Sequence, residues 1–242
     1  MTLLTFAALA AAAFMPGVSN ARASNAHSAT AAPCTTANTA CTEWIVLGGG
    51  PNRSLVYRSY PLTTRNDAIT RVVVSIHGAG RDANNYFRST LAAAFLAGAL
   101  ENTLIVSPRM ASAEGSCQDS LATNEISWNC STWRSGGPSP STPSATSFDF
   151  LDAILTRVAA KTTFPNVRSI IVVGHSAGGQ VVNRYAMSNR VHDKLGVPVS
   201  YVGIGELRDG RIAHVTEYFA NPFEPPAWRA GMTERIPEDA PA

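Results

Sequence analysis

Charged residues are scarce in this sequence, and no segment of it gathers charge of one sign. Asp, Glu, Lys and Arg make up 15% of the 242 residues, and 19 basic against 17 acidic side chains leave a net charge of +2. Electrostatic binding of nucleic acid or of an anionic membrane surface usually needs a basic patch, so we expect neither partner. No apolar run reaches the ~20 residues that cross a bilayer, so we also expect no integral membrane span.

The N-terminal segment has the pattern of an export signal. An apolar run covers residues 2–14, and Ala21, Arg22 and Ala23 form an A-x-A cleavage pattern, although no Lys or Arg precedes the run. We therefore expect residues 1–23 to be a signal peptide and the protein to be secreted or periplasmic. Residues 24–42, rich in Ala, Thr, Ser and Asn without periodicity, predict a flexible lead-in.

The sequence contains only four cysteines, which is an even number: Cys34, Cys41, Cys117 and Cys130. An exported chain with an even number of cysteines favours disulfides. A zinc site is the alternative, but no His is spaced near either pair as a ligand set needs. Among three possible connectivities we predict local pairing, Cys34–Cys41 and Cys117–Cys130.

Apolar and β-branched runs alternate with helix-periodic segments over residues 43–203. The runs predict strands at 43–47, 54–58, 71–76, 104–107, 169–173 and 197–203, and the periodic segments predict helices at 83–100, 148–158 and 180–188. In these helices we expect Phe87, Leu91 and Phe95 to face the sheet and Ser147 to be an N-cap. This order predicts an α/β fold, a doubly wound and mostly parallel sheet whose site lies at the strand C-terminal ends.

The irregular segment 111–147 is long for a compact domain, which is typical of a functional loop. It carries Trp128 and Trp133 on either side of Cys130. Two interpretations remain open at this point: the tryptophans form an aromatic wall of the site, or they cover the core.

The strongest chemical motif is Gly174-His175-Ser176-Ala177-Gly178. It follows a buried strand and precedes a helix, which is the context of a G-x-S-x-G nucleophile elbow. There the serine hydroxyl stands above the sheet near a helix N-terminus, and the two glycines leave room for the neighbouring backbone. The motif predicts Ser176 as a nucleophile. An ordinary Gly/Ser turn is the alternative.

A second loop at a strand end supports this interpretation. An oxyanion needs two backbone N–H donors. We expect one from Ala177 and the other from the loop His77-Gly78-Ala79-Gly80, with Ala79 and Gly80 as the candidate residues. A plain strand-to-helix turn is the alternative for this loop.

Together, the His-Gly-Ala-Gly loop and the Gly-His-Ser-Ala-Gly elbow resemble the α/β-hydrolase superfamily, in its esterase/lipase-like branch, over residues 43–203. The resemblance implies Ser176 as nucleophile, an oxyanion hole at Ala177 and the 78–80 loop, and no metal or organic cofactor. It also implies a small-molecule ester as substrate.

The sequence departs from that pattern after Gly203, so the fold is expected to be C-terminally truncated. Residues 204–230 resemble the last strand of a SnoaL-like domain, and a Pro-rich tail follows to residue 242. The candidate general base is His214 and the candidate acid is Glu206. Asp209 orients His214 poorly, because residues four to five apart along a strand are roughly 13–17 Å apart. The alternative for His214 is a position on the face of an ordinary strand.

These features predict a secreted serine hydrolase that cleaves carboxylic esters through an acyl-enzyme on Ser176. The alternative is a catalytically impaired or non-catalytic hydrolase-like protein without a complete triad, arising from a gene fusion or frameshift. A usable His beyond the elbow separates the two, because a serine hydroxyl is a poor nucleophile without a base.

Overall fold

A computed structural model describes residues 32–204 and, beyond them, only the backbone of three short strands at 207–208, 211–212 and 218–219. The predicted signal peptide, His214, Glu206 and most of the C-terminal segment lie outside the described residues.

The centre of the fold is a seven-stranded sheet. Its strands are β1 (Thr42–Val46), β2 (Arg53–Arg58), β3 (Arg71–Ile76), β4 (Thr103–Pro108), β5 (Ser169–His175), β6 (Val199–Ile204) and β9 (Tyr218–Phe219), in the order β1-β2-β4-β3-β5-β6-β9. Strands β7 (Leu207–Arg208) and β8 (Arg211–Ile212) pair with each other separately. Within the sheet, β4, β3, β5 and β6 are parallel, while the β1–β2 hairpin and β9 are antiparallel edges. The predicted α/β fold with a mostly parallel sheet is confirmed.

Alternation along the strands separates the two faces of this sheet. Val72, Val74, Ile170 and Val172 belong to the main core, together with apolar residues of helices α2 (Ser147–Val158) and α3 (Ala177–Ser188). On the other face, Ile105 packs with Phe87 and Leu91 of helix α1 (Ala83–Leu96). Successive residues of a strand point to opposite faces, so each strand contributes to both layers.

Several helix details differ from the sequence prediction, and α3 begins at Ala177 instead of residue 180. Helix α1 ends at Leu96, not at residue 100, because Gly98 takes a left-handed φ of +62° just beyond it. Phe95 is 68% exposed, since at 3.6 residues per turn it lies about 80° around the helix from Phe87. Helix α2 is capped at its N-terminus by Thr146, not by Ser147. The Thr146 hydroxyl accepts a hydrogen bond from the backbone N–H of Asp149, and the Asp149 carboxylate accepts one from the backbone N–H of Thr146.

Both predicted disulfides are confirmed, Cys34–Cys41 and Cys117–Cys130. The second closes part of the 111–147 segment. Trp128 and Trp133 in that segment are buried, at 0% and 1% exposure. Trp128 stacks on Phe150 of α2, with ring centroids 5.8 Å apart. The tryptophans therefore cover the core and do not form an open wall.

Among the helices within residues 32–204, none combines the length and the hydrophobicity that a bilayer crossing requires.

Candidate active site

Ser176 occupies a strained position between β5 and α3. Its backbone has φ +56° and ψ −119°, a left-handed conformation that residues with a side chain rarely adopt. Such strain persists only where the surrounding structure holds it, and it concentrates at functional sites. The geometry is that of a sharp strand-to-helix turn with the serine at its tip.

The flanking glycines are required by the packing of this turn. A Cβ on Gly174 would collide with the backbone carbonyl of Gly178 and would lie 2.9 Å from the Gly179 nitrogen. A Cβ on Gly178 would collide with the carbonyl oxygen of Ile76 and would lie 2.6 Å from that of His77. These obstacles are backbone atoms that cannot move away, so only glycine fits at either position.

The loop after β3 lies directly beside the nucleophile. A Cβ built on Gly78 would be 3.7 Å from the Cβ of Ser176, whereas Gly80 has only Asp82 within 4 Å. Gly78 is buried, and Ala79 and Gly80 are exposed at the surface above it. Ala177, on the other side, is buried as the first residue of α3, where backbone N–H groups have no partner within the helix.

The buried side chain of His77 anchors this loop to the interior of the protein. Its ring is fully buried, and Nε2 lies 2.9 Å from the backbone nitrogen of Met110, which donates to it. Nδ1 lies 2.9 Å from the carbonyl oxygen of Gly78. Because Nε2 accepts, the proton of the neutral ring belongs on Nδ1, which donates to Gly78. Burial, only partly opposed by the Gly78 hydrogen bond, lowers the pKa of His77 to about 4.

A salt bridge holds the outer part of the same loop. Arg81, whose own backbone is left-handed at φ +53°, places Nε 2.6 Å from the carboxylate of Asp119 and donates from Nη1 to the carbonyl oxygen of Ala79. The same Asp119 oxygen accepts from the backbone N–H of Ser112. Burial raises the pKa of Asp119, but the hydrogen bonds from Arg81 and Ser112 outweigh it and leave the pKa below its ordinary value. The loop is therefore tied to the segment that the Cys117–Cys130 disulfide closes.

Tyr86 of α1 is a site neighbour that the sequence reasoning missed. Its hydroxyl lies 2.9 Å from Nδ1 of His175 and would lie 3.1 Å from a Cβ on Gly78. It therefore borders both the residue before the nucleophile and the loop beside it. No sequence pattern pointed to Tyr86, because it lies about 100° around α1 from Phe87, the next residue, which belongs to the inward-facing series.

Another described histidine, His192, is separated from Ser176 by the whole length of helix α3. His192 lies beyond the C-terminal end of α3, where Nε2 contacts Asp193 at 2.9 Å and Nδ1 contacts Asn189 at 2.7 Å. A helix of the 12 residues of α3 is about 18 Å long, so His192 cannot serve Ser176. Among the described residues no cluster of His, Cys, Asp and Glu could hold a metal ion.

Comparisons with known proteins place this site in context. A model of the alpha/beta hydrolase family matches residues 73–242, which include the loop after β3 and the elbow. No curated protein matches the sequence.

Several solved structures are similar to this chain. The poly(3-hydroxybutyrate) depolymerase LpqC from Bordetella parapertussis shares 19% identity over 58% of this chain and 43% of its own, with a TM-score of 0.39. Poly(aspartic acid) hydrolase-1 from Sphingomonas sp. KT-1 shares 22% sequence identity, and the match covers 60% of this chain and 49% of that protein, with a TM-score of 0.40. The acetyl xylan esterase from Aspergillus awamori shares 14% sequence identity, and the match covers 60% of this chain and 46% of that protein, with a TM-score of 0.35. The chain thus spans less than half the length of each of these three.

Proposed function

Since the chain belongs to the alpha/beta hydrolase family, we propose that it is a serine hydrolase that cleaves carboxylic esters through an acyl-enzyme on Ser176. The observation that carries this proposal is the strained backbone of Ser176 between two glycines that have no room for a side chain. Nothing in the packing of an ordinary turn requires a serine at such a position, whereas a nucleophile elbow does.

The chemistry follows from the neighbours of Ser176. Its hydroxyl oxygen attacks the ester carbonyl carbon, and the carbonyl oxygen becomes an oxyanion. The backbone N–H of Ala177 and an N–H of the 78–80 loop stabilise that charge, with Ala79 and Gly80 as the proposed donors. Departure of the alcohol leaves an acyl-Ser176 ester, which water then hydrolyses to a carboxylic acid and free Ser176.

Ser176 needs a base to take its proton, and we propose His214 with Glu206 as its orienting acid. Both lie outside the described residues. Support comes from β9, which pairs antiparallel with β6 so that Tyr218 is opposite Val202 and Phe219 is opposite Tyr201. Tyr218 is therefore closer than Phe219 to the sheet end that carries Ser176, and His214 precedes Tyr218 by four residues.

The nucleophile is tested with a fluorophosphonate probe, which reacts only with an activated serine. We expect one labelled site, Ser176, and no labelling in Ser176→Ala. Ser188→Ala is the matched control, because Ser188 is exposed at the far end of the same helix. Labelling that persists in Ser176→Ala would overturn the proposal.

We propose further that the protein is exported, with cleavage after Ala23. The two disulfides support this, because such bonds persist in oxidising compartments. N-terminal sequencing of protein recovered from outside the cytosol should begin near Ser24, and denatured protein should contain no free thiol. An uncleaved N-terminus on that material would contradict cleavage after Ala23, and free thiols would contradict the disulfides; protein found only in the cytosol would contradict export.

The second candidate function is a hydrolase-like protein without complete catalytic machinery. It is favoured by the contacts of the described histidines: His77 uses both ring nitrogens in other hydrogen bonds, Nδ1 of His175 lies 2.9 Å from the hydroxyl of Tyr86, and His192 is separated from Ser176 by helix α3. Turnover of a simple ester by the parent and by His214→Ala decides between the two candidates.

A further inference from the structure

Arg81 binds two successive peptide carbonyls of the loop beside Ser176. Its backbone N–H donates to the carbonyl oxygen of Gly78 across 3.2 Å, which closes a turn whose central residues are Ala79 and Gly80. Its guanidinium Nη1 donates to the carbonyl oxygen of Ala79 across 2.9 Å. One residue therefore holds both peptide units of this turn, one through its backbone and the other through its side chain.

A held carbonyl also fixes the direction of the N–H that follows it. In a planar trans peptide, the C=O of one residue and the N–H of the next point in opposite directions. The N–H groups of Ala79 and Gly80 therefore point away from the Arg81 groups that bind the two carbonyls. Both residues are exposed, and within residues 32–204 neither N–H has an acceptor. These are the donors proposed above for the oxyanion hole.

Asp119 fixes the guanidinium in place. One carboxylate oxygen of Asp119 accepts from Nε of Arg81 across 2.6 Å and from the backbone N–H of Ser112 across 2.9 Å. The backbone N–H of Asp119 also donates to the carbonyl oxygen of Ser112 across 2.8 Å. The side chains of Arg81 and Asp119 are only 13% and 22% exposed, and charge-assisted hydrogen bonds are stronger than neutral ones. The guanidinium thus connects an anchored carboxylate to the carbonyl of Ala79.

We propose that Arg81, held by Asp119, is a positioning residue that directs the N–H groups of Ala79 and Gly80 toward the oxyanion. This role rests on the proposed function, because acyl transfer at Ser176 is what creates an oxyanion beside the loop. Donors that are already oriented need no reorganisation when the charge develops, which is why preorganised sites stabilise transition states strongly. Loss of the guanidinium should therefore weaken hydrogen bonding in the oxyanion hole.

Three variants separate this role from a purely structural one. Arg81→Gly removes the guanidinium and keeps the turn, because glycine adopts a positive φ without strain. Asn124→Gly is the matched control, since Asn124 is also left-handed, at φ +60°, and is an exposed loop residue. Asp119→Asn keeps an oxygen acceptor for Arg81 and removes the negative charge, so it loosens the guanidinium without deleting it.

The measurement compares the labelling rates of a fluorophosphonate probe and of its sulfur analogue, in which P=S replaces P=O. In both reactions the Ser176 oxygen displaces fluoride from phosphorus while the oxygen or sulfur occupies the oxyanion hole. Because sulfur is a weak acceptor, the oxygen-to-sulfur rate ratio measures hydrogen bonding at that place. Removing one oxyanion donor typically costs about 10²–10³ in rate. We expect Arg81→Gly to lower the ratio at least about tenfold, Asp119→Asn to lower it less, and Asn124→Gly to leave it unchanged.

A ratio in Arg81→Gly equal to that of the parent would overturn the proposal, whatever the change in melting temperature, because the arginine would then only stabilise the fold. If Arg81→Gly does not fold, Asp119→Asn decides: a lowered ratio supports the role, and an unchanged ratio overturns it. The proposed function fails separately, when Ser176 of the parent reacts with neither probe. That result would also remove the positioning role, since no oxyanion would form beside the loop.

Discussion

Nε2 of His77 accepts a hydrogen bond from the backbone N–H of Met110 across 2.9 Å. This bond connects the loop beside Ser176 to the residues that follow β4. It exists only while the imidazole is neutral, because a protonated ring has no acceptor. Protonation of His77 therefore breaks a hydrogen bond that holds the loop that we propose as part of the oxyanion hole.

Acid should destabilise the protein through His77. Its pKa is about 4 in the folded protein and about 6.5 when unfolded, so the unfolded state binds more protons below pH 6.5 and stability is lost as the pH falls. The difference amounts to about 2 kcal/mol between pH 7.5 and 5. Urea unfolding at both pH values should show this loss in the parent and in His192→Gln, but a smaller one in His77→Gln. An equal pH dependence in all three would contradict the assignment.

Gly178→Ala should prevent the elbow from forming normally. The added Cβ meets two backbone carbonyls, of Ile76 and His77, and neither can move without distorting β3. Overpacking of this kind costs about 1–3 kcal/mol or more, so we expect a lower melting temperature and loss of phosphonate labelling. Gly80→Ala is the control, since its nearest heavy atom would be 3.4 Å away at Asp82. A melting temperature for Gly178→Ala equal to that of Gly80→Ala would show that the elbow tolerates a side chain.

The elbow could be predicted from the sequence because its requirements are local. Gly174, Ser176 and Gly178 belong to five consecutive residues whose backbone geometry needs just those residue types. The roles of His77 and Arg81 could not be predicted in the same way, since their partners Met110 and Asp119 are 33 and 38 residues away.

Helical periodicity alone gave a wrong prediction for Phe95. Phe95 fits an i, i+4, i+8 pattern, yet the pattern drifts around the helix, and the residue faces solvent. The two tryptophans of the 111–147 segment could not be assigned to core or site from composition, because only the folded path shows what they contact.

Removing the Cys117–Cys130 disulfide should destabilise the protein. The cysteines are 13 residues apart, and closing a loop of that length contributes about 3 kcal/mol in the chain-entropy model. Asp119 follows Cys117 closely and anchors Arg81, so the loop beside Ser176 should also become less ordered. We expect Cys117→Ala/Cys130→Ala to lower the urea midpoint and to slow phosphonate labelling. Labelling at the parent rate, despite a lower midpoint, would mean that the disulfide stabilises the fold without ordering the site.

The last prediction concerns the proton of Ser176. Members of a catalytic triad act as a unit, and loss of the base costs on the order of a millionfold in kcat. Because β9 enters the sheet from the end that carries Ser176, we expect the parent to hydrolyse p-nitrophenyl acetate and butyrate and His214→Ala to lose that turnover. His192→Gln is the control and should retain it. Rates barely above background in the parent and unchanged in His214→Ala would instead establish the catalytically impaired alternative, because Ser176 would then have no base to take its proton.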